Sequence, residues 1–171
     1  MGSEMCIRDR QWVGAPGDLF GDLRWHIRNL IIGASRNWCK TIIEWNLASD
    51  ENQKPHTDGG CSSCLGAVTI TDNSVQRNTA YYVIAHASKF VTPGSVRVYS
   101  SSTSSLPNVS FSTPGDKIVT VVLNDSNDKI NFNVVLEDKS MHSSLNAGAV
   151  GTYIWNIKSF FYREVFSSCC Y

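Results

Sequence analysis

From Asp18 onward the apolar residues Leu19, Leu23, Ile27, Leu30, Ile31 and Ala34 recur at spacings of three and four, with Arg24, Arg28 and Arg36 among the positions between them. That period predicts an amphipathic helix. Asp18 and Asp22 near its start and Arg36 near its end complement the helix dipole. Lys40 to Leu47 (KTIIEWNL) places β-branched Thr41, Ile42 and Ile43 ahead of a polar and aromatic tip, which predicts a short buried strand. Ser49 to Gly60 is polar, contains Pro55 and Gly59-Gly60, and is long enough for a functional loop. Leu65 to Thr71 alternates Leu65, Ala67, Thr69 and Thr71 with Gly66, Val68 and Ile70, a strand pattern that Asp72-Asn73 ends in a turn. Ala80, Val83, Ile84, Ala87 and Val91 then form the apolar face of a second helix, stopped by Pro93-Gly94.

Beyond Ser95 the helical period disappears. Short alternating segments follow at Val96 to Tyr99, Val109 to Ser112, Ile118 to Leu123, Ile130 to Leu136, Met141 to Leu145 and Val150 to Trp155. Turn residues separate them at Pro107-Asn108, Pro114-Gly115-Asp116, residues 124–128 and Asn146-Ala147-Gly148. Strands at this spacing imply an antiparallel sheet or sandwich. The pattern therefore divides the chain near Pro93-Gly94 into an α/β portion and an all-β portion.

Composition narrows the partner more than the fold. With 171 residues, 42% hydrophobic and 18% charged, the chain suits one globular domain or two small ones. Fifteen basic residues balance fifteen acidic ones, so charge steers it toward no nucleic acid and no charged surface, and a neutral partner fits best. No apolar run approaches the roughly 18 to 20 residues of a spanning helix, and no leader pattern stands in the first thirty or so residues. The two ends read as foreign. Met5-Cys6-Ile7-Arg8-Asp9-Arg10 can be encoded by ATG TGT ATA AGA GAC AG and one further base, the end of a transposon used to build sequencing libraries, so residues 1–10 are expected to be an artefact. Residues 156–171, ending in Cys169-Cys170-Tyr171, are expected to be a non-native tail.

The segments QWVGAPGD from Gln11, NLIIGASRNWCKTIIEWNLASDENQKPHTDGGCSSCLGAVTI, RNTAYYVIAHASKFVTPGSVRV, LPNVSFSTPGDKIVTVVLNDS and SLNAGAVGTYIW resemble, in order and spacing, the glycoside hydrolases of family 30. The resemblance covers Gln11 to Trp155. It implies the last βα units of a (β/α)8 barrel over residues 11–93, followed by an antiparallel β-sandwich over residues 94–155, both incomplete. Lys40 to Leu47 would be the eighth barrel strand and Arg77 to Val91 the eighth helix. The implied chemistry is retaining cleavage of a β-glucosidic bond by two glutamates, in the manner of a β-glucosidase or glucosylceramidase, on a β-glucan, another β-glucoside or a glycolipid. No cofactor is implied, and the parent protein would be secreted or periplasmic.

The family's nucleophile glutamate stands immediately before the residues matching Gln11-Trp12, where this chain has Asp9-Arg10. Its acid/base glutamate belongs to the fourth strand, which no segment here matches, and Glu4 does not align. The chain therefore holds no catalytic residue and is expected to be inactive by itself. Active sites of such barrels gather at the C-terminal ends of the strands, so Glu44, Trp45 and Asn46 are the candidate sugar-binding residues. An indole stacks on a sugar's apolar face while amides and carboxylates take its hydroxyls. Trp45 is also readable as a core aromatic, and Glu44, alternating with it, as a supporting residue on the far side. Trp12 is a second candidate wall, and His56, with Asp58 in the PHTDGG loop, would overhang the cleft. His26, His86 and His142 read as structural. Cys61-Ser62-Ser63-Cys64 has the spacing of half a zinc site, but no matching pair follows, and a loop disulfide between Cys61 and Cys64 fits better. A competing reading keeps the chain as a non-catalytic β-sandwich module for carbohydrate binding or packing. A thiol redox protein ranks behind both, because Gly59-Gly60 opens no helix beside the cysteines.

Overall fold

A computed structural model describes residues 9–11, 13–14 and 17–157. The expectations for residues 1–8, for Trp12 and for residues 158–171 lie outside the described residues.

Asp18 opens the first helix as predicted, its carboxylate accepting from the Phe20 amide. Helix α1 (Leu19–His26) continues without a break into a wider, π-helical stretch (Ile27–Ala34) that carries Ile27, Leu30, Ile31 and Ile32 into the core. The chain reverses at Trp38, which adopts φ +66°, while the Cys39 amide bonds back to Ala34. A left-handed tryptophan is costly, and Arg97 offsets part of that cost by stacking its guanidinium 3.8 Å from the indole centre.

The reversal delivers the chain to β3 (Ile42–Glu44), which lies parallel to β1 (Asp9–Gln11) with Gln11 opposite Glu44. The expected strand over Lys40 to Leu47 is thus shorter, limited by a three-residue partner, and it is less buried, Ile43 being 40% exposed. The expected strand over Leu65 to Thr71 is divided. Its first part, β5 (Cys64–Leu65), runs antiparallel to β2 (Val13–Gly14). Its second part, β6 (Val68–Ile70), lies between parallel β4 (Ala48–Ser49) and antiparallel β7 (Val75–Arg77). The division falls at Gly66, where the chain crosses the Ala48–Ser49 backbone in close contact. Helix α2 spans Thr79–Ser88 rather than Arg77 to Val91. The Asn78 amide starts it late by donating to the Gly66 carbonyl and Thr69 Oγ1, which leaves the helix N-terminus without a side-chain cap. Two helices and these short strands are what the described residues hold ahead of Pro93, and they do not close a barrel.

The all-β portion matches its predicted strands closely. A four-stranded antiparallel sheet runs β13 (Val150–Asn156), β10 (Lys117–Leu123), β9 (Asn108–Thr113), β8 (Val96–Val98). The hairpin of β11 (Ile130–Leu136) and β12 (Lys139–Leu145) forms a second layer. Strand β10 reads KIVTVVL because both of its faces are covered. Val121 and Leu123 join Ile27, Ile31, Ile32, Val83 and Val109 in one core beneath the helices. On the other face Ile118, Thr120 and Val122 look across a gap of about 430 Å³ toward Phe132, Val134 and Leu136 of the hairpin. A charged clamp fixes the helices to the sandwich: the Asp125 carboxylate, 5% exposed, meets Arg24 Nε at 2.5 Å and Arg28 Nη1 at 2.8 Å.

His86 forms a second tie, its Nδ1 lying 2.9 Å from Thr152 Oγ1 of β13. Burial lowers its pKa below the ordinary 6.5. The folded state therefore binds fewer protons than the unfolded one as pH falls through that range, and stability is full above about 6.5 and declines below it. The melting temperature is expected to drop between pH 7.5 and 5.5, with a smaller drop in His86→Gln. Equal slopes for the two proteins would assign the pH dependence to other groups.

Candidate functional site

The C-terminal end of β3 gathers most of the predicted site residues. Glu44 closes the strand, and its side chain turns toward α1, where Oε1 lies 2.7 Å from Nδ1 of His26. Both side chains are buried, 5% and 3% exposed. The Trp25 ring packs edge-on against the His26 ring, with centroids 5.2 Å apart. Three consecutive residues then hold buried polar atoms that no group among the described residues satisfies: Glu44 Oε2, Trp45 Nε1 and Asn46 Oδ1. Each such atom costs about 1 to 3 kcal/mol, and the described residues hold three more in the all-β portion, Arg97 Nε, Asn108 Oδ1 and Trp155 Nε1.

Asn46 serves the scaffold as well. Its carbonyl accepts from the Ala67 amide, and its side chain lies under Gly66. This network ties the β3 tip to the β5–β6 crossover. His56 is half-buried in the polar loop, and its Nδ1 makes only a local contact, 3.1 Å to the Thr57 carbonyl; Asp58 is exposed. Cys61 and Cys64 are joined by a disulfide, which anchors the end of that loop to β5. An Asp50 turn organises its other end, the carboxylate accepting from the amides of Asn52 and Lys54. No group of three or more metal-ligating side chains occurs among the described residues, and none of their helices is long and apolar enough to cross a membrane.

Sequence reasoning read His26 as structural and missed its partner. One signal was available: His26 falls on the stripe Leu19, Leu23, His26, Leu30, spaced four, three and four, so a polar ring occupies a core-facing position. The buried ring at that position requires a polar partner.

Residues 94–153 match the glycosyl hydrolase family 30 beta sandwich domain. Over 87 residues, half of this chain, the sequence is 36% identical to an endo-1,6-beta-D-glucanase (neg1) of Aspergillus fumigatus, of which it covers 17%. It is 27% identical over 115 residues to the lysosomal acid glucosylceramidase of Mus musculus, 66% of this chain and 22% of that protein. Among solved structures, the endo-beta1,6-glucanase BT3312 superposes with a TM-score of 0.74 at 26% identity, over 85% of this chain and 34% of that one. The chain thus spans about one sixth of the fungal relative's length and one third of the solved structure's.

Proposed function

We propose that this chain is a C-terminal segment of a family 30 glycoside hydrolase and that its β3 tip is one wall of the sugar-binding cleft of a retaining β-glucosidase. In this reading α1 and β3 are the last helix-strand step of a (β/α)8 barrel, and β1, of which only Gln11 lies within the stretch that resembles the family, occupies the place of the preceding strand. The parallel pairing of β1 with β3 across an intervening helix supports it. The residues matching the family's catalytic glutamates are not in this chain, so the pair of carboxyls about 5 to 5.5 Å apart that a retaining mechanism requires belongs to the whole protein. Trp45 supplies the apolar platform and the indole N–H. The loop bearing Cys61–Cys64 and His56 forms the rim, and its disulfide fits an oxidising, extracytoplasmic compartment.

The observation that carries this reading is the place of Trp45 directly after β3, at the C-terminal end of a strand paired parallel to β1, in a chain that matches the family 30 beta sandwich. Among the substrates that the resemblance allows, a β-1,6-glucan is favoured over a glycolipid. The fungal relative and the solved structure are both named for endo-1,6-glucanase activity, whereas the glucosylceramidase is the more distant match. Saturation-transfer NMR on the purified chain is expected to detect gentiotriose, to lose at least about tenfold in affinity on Trp45→Ala, and to show no glucose release over days. Equal transfer to Trp45→Ala would remove the cleft from this tip and leave the non-catalytic sandwich module as the better account.

A further inference from the structure

One aspartate of the chain is followed directly by a glycine, Asp58-Gly59. The pair stands at the tip of the polar loop, where residues 57–60 are all exposed. The Gly60 amide donates to the Thr57 carbonyl at 2.8 Å and closes a four-residue turn that holds Gly59 at φ +75°. Nothing lies within 4 Å of the place a Gly59 Cβ would take. Among the described residues, neither the Asp58 carboxylate nor the Gly59 amide has a hydrogen-bond partner. The ends of the loop are tied down by the Asp50 turn and by the disulfide of Cys61 with Cys64. The tip between them can rearrange without disturbing the core. A carboxyl on Cβ lies within five-membered-ring reach of the next residue's nitrogen, and a glycine there has no side chain to block the approach.

We propose that Asp58-Gly59 is a modification site, at which the main chain isomerises spontaneously and Asp58 becomes isoaspartate. The Gly59 nitrogen bonds to Asp58 Cγ and gives up its proton, while the bond from Cγ to the hydroxyl oxygen breaks and that oxygen leaves as water. A five-membered imide results. Water then reopens it at either carbonyl. Breaking the new N–Cγ bond restores aspartate, whereas breaking the original peptide C–N bond leaves the chain running through Cγ, one methylene longer, with the carboxylate on Cα. Other candidate pairs are restrained. In Asn73-Ser74 the serine amide donates to Thr71 Oγ1 at 3.1 Å. In Asp125-Ser126 the carboxylate is buried against Arg24 and Arg28, and the serine amide donates to Asn124 Oδ1.

The purified chain is held folded near neutral pH at body temperature for several weeks, then digested. Its peptides are labelled with an isoaspartyl carboxyl methyltransferase and a radioactive methyl donor, and mapped by mass spectrometry. Label is expected on the peptide that contains residue 58, accumulating at least about tenfold faster than on the one that contains Asp125, which reacts only after local opening. Asp58→Glu keeps the charge but lengthens the side chain past the five-membered ring, and is expected to abolish the label at that peptide. Asp58→Asn reaches the same imide by losing ammonia, and is expected to gain label faster than wild type. Both substitutions lie at an exposed tip, so each chain is expected to melt as wild type does. An unlabelled residue 58 in the folded chain, with label there in the urea-unfolded chain, would show that the turn prevents ring closure and overturn the proposal. Label that persists on the same peptide in Asp58→Glu would place the chemistry at another residue and overturn it equally. No sugar enters the experiment, so its outcome is independent of the role of the β3 tip.

Discussion

Gly66→Ala is expected to destabilise the chain by about 3 kcal/mol, read as a lowered urea midpoint at unchanged slope. A Cβ at this position would lie 2.7 Å from Asn46 Oδ1, 2.8 Å from the Ser49 amide nitrogen and 2.9 Å from the Ala48 carbonyl carbon. Two of those atoms are backbone, so neither can rotate away. The crossover is also bonded on both sides, the Gly66 amide to Ser49 Oγ and its carbonyl to the Asn78 side chain. Relief would have to separate β4 from β6 and disturb Asn46 beside Trp45. Gly59→Ala is the control, because nothing lies within 4 Å of its added Cβ and only its φ of +75° opposes the change. Equal effects at the two glycines would show that the close approach at Gly66 is not what the sequence is accommodating.

Asn124→Asp is expected to be more damaging, costing about 4 kcal/mol or more and leaving the chain unfolded near neutral pH. Asn124 is completely buried. Its amide nitrogen donates to the carbonyls of Asp128, Leu145 and Asn146 at 2.7, 2.9 and 3.0 Å, while its oxygen accepts from the Ser126 amide and hydroxyl. Aspartate would set a buried negative charge against three carbonyl oxygens. Asn124→Ala is expected to be milder, losing the bonds without adding repulsion. Circular dichroism and thermal melts of the two variants check the order, and an aspartate variant as stable as the alanine one would contradict the hub assignment.

What the sequence disclosed and what it withheld follow from range. Strands β9, β10, β11 and β13 were legible nearly to the residue, because an inward-facing alternation or a doubly covered apolar run is written locally. Strand β12 begins two residues earlier than its apolar pattern, since Glu137 at φ +54° turns the hairpin tightly enough to pair Lys139 with Leu136. The α/β portion was legible in its helices and less so in its strands. Where Lys40 to Leu47 stops being a strand is decided by β1, about thirty residues away, and where Leu65 to Thr71 divides is decided by contact with Ala48. The predicted cleft residues Glu44, Trp45 and Asn46 do share one strand end with unmet polar atoms. His56 stays in its loop with a local partner, and His26 was legible only as an anomaly on an apolar stripe.

The core that packs Ile27, Ile31, Ile32 and Val83 against Val109, Val121 and Leu123 draws on both sides of Pro93-Gly94. That dipeptide is therefore a joint in the covalent chain without being a seam in the solid. A polypeptide severed there would bare the oily underside of the helices on one piece and the matching face of the sheet on the other, so the two portions are expected to unfold together.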